Sequence, residues 1–285
     1  MNLQHLETLL AAADTGSFAA AADRVGVTQS AVSMQMKSLE EALGVSLFDR
    51  SRRPLALSEA GLALLPKARE LVRLADELRA QAAGASLAGR LRLGVIPTAA
   101  TGLVPDVLAR LTARAPELQI RLESGLSGEL TRRVVSGMLD AALVTEAAAL
   151  PRGLVSHPVL EEALVVVAPA GTSGEAVALL RAHPFIRFNR RAGVGRLIDA
   201  ALRRRRIHVR ETMELDSIEA ILAMVAHGLG VAVVPSGPLT GAIAERVTAA
   251  SFADPPLTRR VVLVEREATS HMTAALLEEL RRSAA

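Results

Sequence analysis

The stretch SFAAAADRVGVTQSAVSMQMKSLEEALGVSLF, residues 17–48, decides the fold of the amino-terminal part of the chain. Ser17 and Thr28 each stand where a short polar oxygen can cap a helix, because such an oxygen accepts hydrogen bonds from first-turn amides. Gly26 between them suits a left-handed turn. After Thr28, apolar residues recur at intervals of four, three and four, which predicts a third helix with one buried stripe. The stripe consists of Val32, Met36, Leu39 and Leu43.

This third helix also has a polar face. Gln29, Ser30, Ser33, Met34 and Lys37 fall near the side opposite the stripe. Two short helices joined by a glycine turn, the second presenting amides, hydroxyls and a cation, are typical of a DNA-reading helix-turn-helix. We therefore predict that the glutamine and the serines face the major groove, where they can form hydrogen bonds with base edges, and that the lysine binds phosphate.

Three arginines cluster directly after the third helix, in SLFDRSRRP, residues 46–54. A hairpin wing at this place would bring their charges to the phosphate backbone, where counterion release drives affinity. The alternative is a solvated loop, which is what most charge clusters are; the adjacent helix-turn-helix favours the wing. The predicted DNA-binding set is Ser17, Thr28, Gln29, Ser30, Ser33, Met34, Lys37, Arg50, Arg52 and Arg53.

These residues resemble the LysR-type transcriptional regulators, and the similarity runs essentially from end to end. The Ser-Phe opening of the second helix, the TQSAVS entry to the third and the LF-Asp-Arg wing all match that family. A second block, ELDSIEAILAMVAHGLGVAVVP, residues 214–235, resembles the late helix and strand of the family's effector domain.

The resemblance implies an α/β chain with three parts. An all-α winged helix-turn-helix domain is expected at residues 1–58, and a linker and dimerisation helix with a hinge at 59–89. A two-lobed effector-binding domain with a periplasmic-binding-protein-like fold is expected at 90–285. Its first lobe would comprise about 90–160 and 266–285, and its second lobe about 161–265, so that the chain crosses near residues 160 and 265.

The segment after Ser58 is predicted to form one long helix with a seven-residue repeat. Pro66 lacks an amide and should bend this helix or delay its regular part. An apolar seam on one helix packs either on its own domain or on a partner chain, and the family uses this segment for dimerisation. The predicted dimer seam is Leu64, Ala68, Leu71, Ala75, Leu78 and Ala82.

Composition narrows the class of protein. The chain has 285 residues, half of them hydrophobic, and a formal net charge of +3, which is small for a nucleic-acid binder. The lack of cysteine excludes disulfides, cysteine-ligated metals and the thiol-based peroxide sensing of one branch of the resembling family. We expect no secretory signal and no membrane span, because the longest apolar stretch is shorter than the ~20 residues that a span needs. A cytoplasmic location follows most simply.

In the second part of the chain, strands alternate with helices, which implies crossover units and a parallel sheet. Such sheets bind ligands beyond the carboxyl ends of their strands. Thr98 and Ser127 follow strands and could bind an anion or merely cap their helices. The family binds effectors in this cleft, with Ser or Thr at the first of these places, so Thr98 is the main candidate. Asn189, Arg190 and Arg196 follow a later strand, and either arginine could be the charged partner.

Function classes other than regulation find little support. There is no Trp or Tyr and only five Phe, so stacking surfaces are scarce and we expect a small, anionic effector. The histidines show no metal-ligand spacing, and no serine stands in a nucleophile elbow. We therefore predict no enzyme, no cofactor and no metal.

The sequence thus predicts a ligand-responsive regulator that binds double-stranded promoter DNA as an oligomer. The resemblance implies self-association, as a dimer of dimers, contact with RNA polymerase and no membrane partner. The alternative is a solute-binding module whose helical arm only oligomerises it. DNA binding distinguishes the two.

Overall fold

The computed structural model describes residues 2–49, 55–82, 87–267 and 270–284, and the chain divides into two compact units. Residues 1–89 form most of the first unit, and most of residues 90–285 form the second. Each unit has its own hydrophobic core.

The first unit contains helices and a short hairpin. Its elements are α1 (Leu3–Thr15), α2 (Phe18–Val25), α3 (Gln29–Leu43), β1 (Phe48–Asp49), β2 (Ala56–Leu57) and α4 (Glu59–Ala82). Ser17 accepts a hydrogen bond from the Ala20 amide at 3.4 Å and caps α2, and Thr28 accepts one from the Ala31 amide at 3.2 Å and caps α3. Gly26 between these helices has φ +72°, in the left-handed region.

The core of the first unit explains how α3 is held. Val32, Met36 and Leu39 are fully buried, as the spacing of the stripe predicts, while Leu43 is half-buried. They pack with apolar residues of α1, α2 and the early part of α4. Burial of one stripe fixes the rotation of α3 about its axis, and therefore which side chains face away from the core.

The second unit is a two-lobed α/β structure. Its first-lobe elements are β3 (Gly89–Val95), α5 (Pro97–Ala100), α6 (Leu103–Arg114), β4 (Leu118–Ser124), α7 (Ser127–Val135), β5 (Ala141–Thr145) and α12 (His271–Ala284). Its second-lobe elements are α8 (Ala176–Ala182), β7 (Pro184–Phe188), α9 (Gly193–Arg204), β8 (Arg210–Leu215), α10 (Ile218–Ala226), β9 (Ala232–Pro235), α11 (Ala242–Arg246) and β10 (Val247–Ser251). Two long strands join the lobes: β6 (Leu154–Pro169) and β11 (Thr258–Arg266).

The main sheet has the strand order β10-β6-β11-β5-β3-β4, with β9 also paired to β6. We expected a parallel sheet, but this one is mixed. β3 and β5 are parallel, whereas β11 runs antiparallel to both β5 and β6. β7 and β8 form a separate, parallel two-stranded sheet. The antiparallel pairs arise because the chain passes between the lobes twice within strands.

The chain passes between the lobes within β6 and within β11. β6 begins at Leu154 and pairs with β11 as far as Ala163, and its residues from Leu164 onward pair with β9 and β10. β11 already pairs with β5 from Val261 onward, so the chain returns to the first lobe before residue 265. Pro158 and adjacent carboxylates mask the strand pattern in this part of β6.

Candidate functional site

The exposed face of α3 carries the polar residues that sequence analysis selected. The side chains of Gln29, Ser30, Ser33, Met34 and Lys37 are all exposed, and Met34 is 73% exposed although it is apolar. Thr28, at the start of the helix, is also exposed and shares a 2.9 Å hydrogen bond with Ser30. Lys37 lies 3.9 Å from Glu41 across a highly exposed pair, which is a weak interaction in water.

A short hairpin follows α3 and is anchored to the helical core. β1 and β2 pair antiparallel, with Phe48 opposite Leu57. The ring of Phe48 meets that of Phe18, the first residue of α2, edge to face at 5.1 Å. The three predicted wing residues, Arg50, Arg52 and Arg53, lie outside the described residues.

The expected seam on α4 needs correction at its amino-terminal end. Ala68 is 5% exposed and Leu64 half-buried, and both pack against the core of their own unit. Farther along the helix, Leu71 is 43% exposed and Leu78 is 69% exposed. Heptad spacing cannot distinguish these two environments, because it describes the helix and not the surface that covers it.

Ala75 and Ala82 complete the seam. Ala75 is half-buried and Ala82 exposed. Leu74, which the sequence seam omitted, is 47% exposed on the same part of the helix. The exposed apolar stripe therefore runs from Leu71 to Ala82.

A cavity of about 380 Å³ lies in the cleft of the second unit. Both lobes and β11 line it, and predicted candidates from both lobes meet there. Its lining residues are Ile96, Pro97, Thr98, Ser124, Gly125, Leu126, Ser127, Glu129, Thr145, Phe188, Asn189, Ala192, Gly193, Val194, Asp216 and Arg259. The size is in the range of about 300–1,000 Å³ typical of small-molecule sites.

Thr98 and Ser127 differ in how their hydroxyls are used. Ser127 is 5% exposed, and its Oγ accepts a hydrogen bond from the Thr145 amide at 3.3 Å. Thr98 Oγ1 is buried and has no hydrogen-bond partner among the described residues. It does not cap α5, whose cap residue is Ile96. A buried hydroxyl without a partner is costly, so Thr98 Oγ1 is suited to a ligand.

Arg259, which the sequence analysis missed, is the cation of this cavity. It is 3% exposed and lies opposite Glu162 in the β11–β6 pairing. Its Nε donates to Glu162 Oε1 at 2.6 Å, and Nη2 lies 2.5 Å from the same oxygen. Nη1 is buried and has no partner among the described residues. Burial lowers the pKa of Arg259 while Glu162 raises it, and an arginine remains charged in either case.

Glu162 is itself held in place. Its Oε2 accepts a hydrogen bond from the Gly237 amide at 3.1 Å. The carboxylate thus fixes one edge of the Arg259 guanidinium. A donor held in this way needs little reorganisation to bind an acceptor.

The lobes approach each other closely at Gly193. A Cβ on this residue would lie 2.8 Å from Thr145 Cβ and 3.0 Å from Ser127 Oγ, both in the first lobe. A second contact joins Glu219 of α10 to Thr101 of the first lobe. Burial raises the pKa of Glu219, but hydrogen bonds from Ser217, its own backbone and Thr101 outweigh this, and the pKa is lowered.

Two of the predicted effector residues do not reach the cavity. Arg190 pairs with Glu211, and its amide donates to Glu214 Oε1 at 2.9 Å. Arg196 is exposed and donates to the Arg191 carbonyl at 2.5 Å. Asn189 does line the cavity, and its amide group donates to Asp216. Arg259 lines the cavity, whereas Arg190 and Arg196, the arginines expected to be the charged partner, do not.

The described ranges contain neither a candidate metal cluster nor a membrane-spanning helix. No group of three or more His, Asp or Glu side chains there is arranged to hold a metal ion. None of the helices there combines the length and the apolar character that a membrane crossing requires.

An exposed polar helix face on one unit and a two-lobed cleft on the other are the parts of a ligand-responsive DNA-binding regulator. Family models agree with this class. The model of the bacterial regulatory helix-turn-helix protein, lysR family, matches residues 3–62, and that of the LysR substrate binding domain matches residues 84–285. The chain belongs to the LysR-type family of transcriptional regulators.

Similar proteins cover most of the chain. A probable nitrogen assimilation transcriptional activator of Synechococcus elongatus is 31% identical over 277 residues, 93% of this chain and 88% of the relative. A probable hydrogen peroxide-inducible genes activator of Mycobacterium xenopi is 41% identical over 174 residues, 59% of this chain and 90% of the relative. A solved full-length OxyR variant from Pseudomonas aeruginosa is 26% identical, covers 99% of this chain and 95% of its own, and has a TM-score of 0.78.

The chain is accordingly a ligand-responsive transcriptional regulator that binds promoter DNA and carries an effector-binding domain. Its family consists of regulators and not of enzymes.

Proposed function

We propose that α3 reads operator DNA, that two or more copies of the chain act together, and that a small effector in the cleft switches them. The exposed face of α3 supports the first part. Glutamine and serine side chains there can form hydrogen bonds with base edges, while an exposed Met34 can contact a thymine methyl group. Ser17, at the start of α2, and Lys37 would bind phosphates, together with the wing arginines.

The main evidence for the effector site is the Thr98 hydroxyl, which is buried at the cavity and has no hydrogen-bond partner among the described residues. Thr98 Oγ1 and Arg259 Nη1 are buried polar atoms that lack partners within the described part of the chain, and both residues line the same cavity. Ligand acceptor groups at these two donors would remove the cost of leaving them unpaired. The effector therefore carries at least one anionic or strongly accepting group.

Association through α4 is the third part of the proposal. The exposed stripe from Leu71 to Ala82 is apolar and helical, and residues such as Leu78 are unusually exposed for leucine. Pairing of two such helices would bury the stripe and bring two recognition helices to a two-fold operator. We propose a dimer of dimers that contacts RNA polymerase in the cytoplasm and has no enzymatic activity of its own.

The signal that this chain detects differs from the peroxide named for some of its relatives. A thiol-based response to peroxide needs cysteine, and this chain contains none. The name of the Synechococcus relative, a nitrogen assimilation activator, is more compatible with a metabolite effector.

Selection of random duplex DNA with the purified full chain tests the proposed function. We expect enrichment of a two-fold motif, and we expect that Gln29→Ala enriches a motif with one relaxed position per half-site. Ser38→Ala, an exposed substitution on the same helix, is the matched control. Failure to enrich any motif would favour the solute-binding alternative.

A further inference from the structure

The charges around the cavity are unbalanced. The charged residues that line it within the described part of the chain are Arg259, Asp216 and Glu129. Arg259 is already paired with Glu162, so its positive charge is balanced before any ligand binds. The two lining carboxylates, by contrast, have no lining cation left to oppose them. The cavity thus combines an anion-binding donor with an excess of negative charge.

The polar groups that line the cavity differ in how deeply they are buried. Arg259 is 3% exposed and Thr98 Oγ1 is buried, while Asp216 and Glu129 are exposed. Their positions come from separate elements: Glu129 lies in the first turn of α7, and Asp216 directly precedes the Ser217 cap of α10. A ligand with its acceptor group at the buried donors would therefore carry its other end toward carboxylates.

We propose that the ligand of this cavity is a small zwitterion of the amino-acid type, with one carboxylate and one protonated amine. The carboxylate accepts hydrogen bonds from Arg259 Nη1 and Thr98 Oγ1. The ammonium group lies toward Asp216 and Glu129. This inference rests on the effector role proposed for the cavity and names the class of effector.

Simpler ligands satisfy only one part of the site. A dicarboxylate would place its second negative charge near Asp216 and Glu129, where like charges repel. A monocarboxylate would fill the donors but leave the excess negative charge of the cavity uncompensated. An alkylamine would leave the buried Arg259 and Thr98 donors without acceptors, which is costly. Of these ligands, only a zwitterion fills the donors and also places a cation near Asp216 and Glu129.

Thermal unfolding of the full chain with matched probes tests the proposal. One set holds the twenty common amino acids, each beside its counterpart without the amino group. The other set keeps six carbons throughout: 6-aminohexanoate, hexanoate, hexylamine and adipate. We expect at least one zwitterion to raise the Tm of the second unit by about 5 °C at roughly a hundredfold excess over its Kd. Its counterparts should have little effect.

Two pairs of substitutions locate the binding. Arg259→Gln combined with Glu162→Gln keeps a hydrogen-bonding pair but removes the guanidinium, and should weaken zwitterion binding about ten- to hundredfold. Arg260→Gln combined with Glu161→Gln changes the neighbouring pair in the same strand register, outside the cavity, and is the matched control. Asp216→Asn should reduce the preference for a zwitterion over its des-amino counterpart, whereas Asp106→Asn on α6 should not.

The outcomes separate this inference from the proposed function. Equal or larger Tm shifts with des-amino acids or dicarboxylates, or no shift with any zwitterion, would overturn the zwitterion assignment. Equal weakening by the Arg260/Glu161 pair would overturn the placement at Arg259. DNA selection with the same preparation reports on the regulator itself, so a chain that selects an operator but binds no zwitterion refutes only the inference.

Discussion

The two units place their binding groups in opposite surroundings. The proposed base-reading residues, Gln29, Ser30, Ser33 and Met34, come from one short stretch and are exposed on one helix. The cavity residues come from β11 and from segments of both lobes, and the donors on Thr98 and Arg259 are buried and have no partner among the residues that the structure describes. The residues on one helix face can be predicted from helical periodicity. The residues of a cleft can be predicted only when the pairing of strands that are distant in sequence is known.

The contrast also predicts how each site responds to change. Side chains on the exposed face of α3 lie outside the core, so their replacement should alter DNA recognition and little else. Cavity residues such as Gly193 and Arg259 are held between elements, so their replacement should alter how the lobes fit together as well as ligand binding.

The largest effect is expected from Leu71→Asp on α4, which tests whether the first unit acts alone. A charge buried in the proposed seam would cost on the order of several kcal/mol if unpaired, so the variant should lose both its oligomer and its operator binding. Leu62→Asp is the control, because Leu62 is 60% exposed on the opposite side of α4. Light scattering and gel shifts measure both properties, and an unaltered mass for Leu71→Asp would refute the seam.

Gly193→Ala should abolish the effector response of the second unit without affecting DNA binding by the first. The added Cβ would lie 2.8 Å from Thr145 Cβ, closer than the atoms can tolerate, and should keep the lobes apart. We expect loss of the effector response with operator binding retained. Gly128→Ala, whose Cβ would meet only Arg132 Nη1 at 3.9 Å, should respond normally. A normal effector response in Gly193→Ala would show that this close approach is not needed.

Thr98→Val tests the buried hydroxyl while keeping its shape. Loss of a hydrogen bond to a charged ligand costs roughly 1.5–3 kcal/mol, or about ten- to a hundredfold in affinity. Thr98→Ser retains the hydroxyl and should bind nearly as well as the wild type. Calorimetry with the ligand found by thermal unfolding measures the difference. Equal affinity in Thr98→Val would leave the effector site to Ser127 and Arg259.

Gln29→Ala should change recognition at one base position. A bidentate contact discriminates a base pair by about 1–3 kcal/mol, so the preferred base should lose up to about a hundredfold of its advantage. Competition gel shifts with operators altered at single positions measure this preference. Unchanged discrimination at every position would remove Gln29 from the base-reading set.

Lys37→Gln should have the smallest effect on DNA binding, and this effect should not depend on the DNA sequence. Removing one phosphate contact lowers the slope of log affinity against log salt by about 0.9, and all duplexes should weaken alike. Arg52→Ala is expected to act in the same manner. Binding titrations over a salt series distinguish this from base reading, since a sequence-dependent loss would assign Lys37 to a base instead.

Local pattern predicted the first unit well because its helices are capped and amphipathic within short stretches. Thr28 and the buried stripe beginning at Val32 define α3 without knowledge of any other element. The same spacing failed at Leu64 and Ala68, since the covering surface there belongs to residues far away in sequence.

The cavity shows the limit of pattern more clearly. Thr98 and Ser127 were found because helix starts after strands mark the cleft of α/β folds. Arg259 was missed because an arginine at the start of a strand is usually solvated, and only its pairing with Glu162 across β6 buries it. Arg190 was selected from its position after β7, but the carboxylates of β8 hold it elsewhere.

The continuous strand β6 has a consequence for recombining regulators with new specificities. Its residues 154–163 pair with β11, and its residues 164–169 complete the sheet of the second lobe. A splice inside the cleft would therefore sever a strand that both lobes need, and neither half could complete its sheet. Chimaeras that exchange effector response should instead be joined within residues 83–88, ahead of β3, so that both lobes are transferred together.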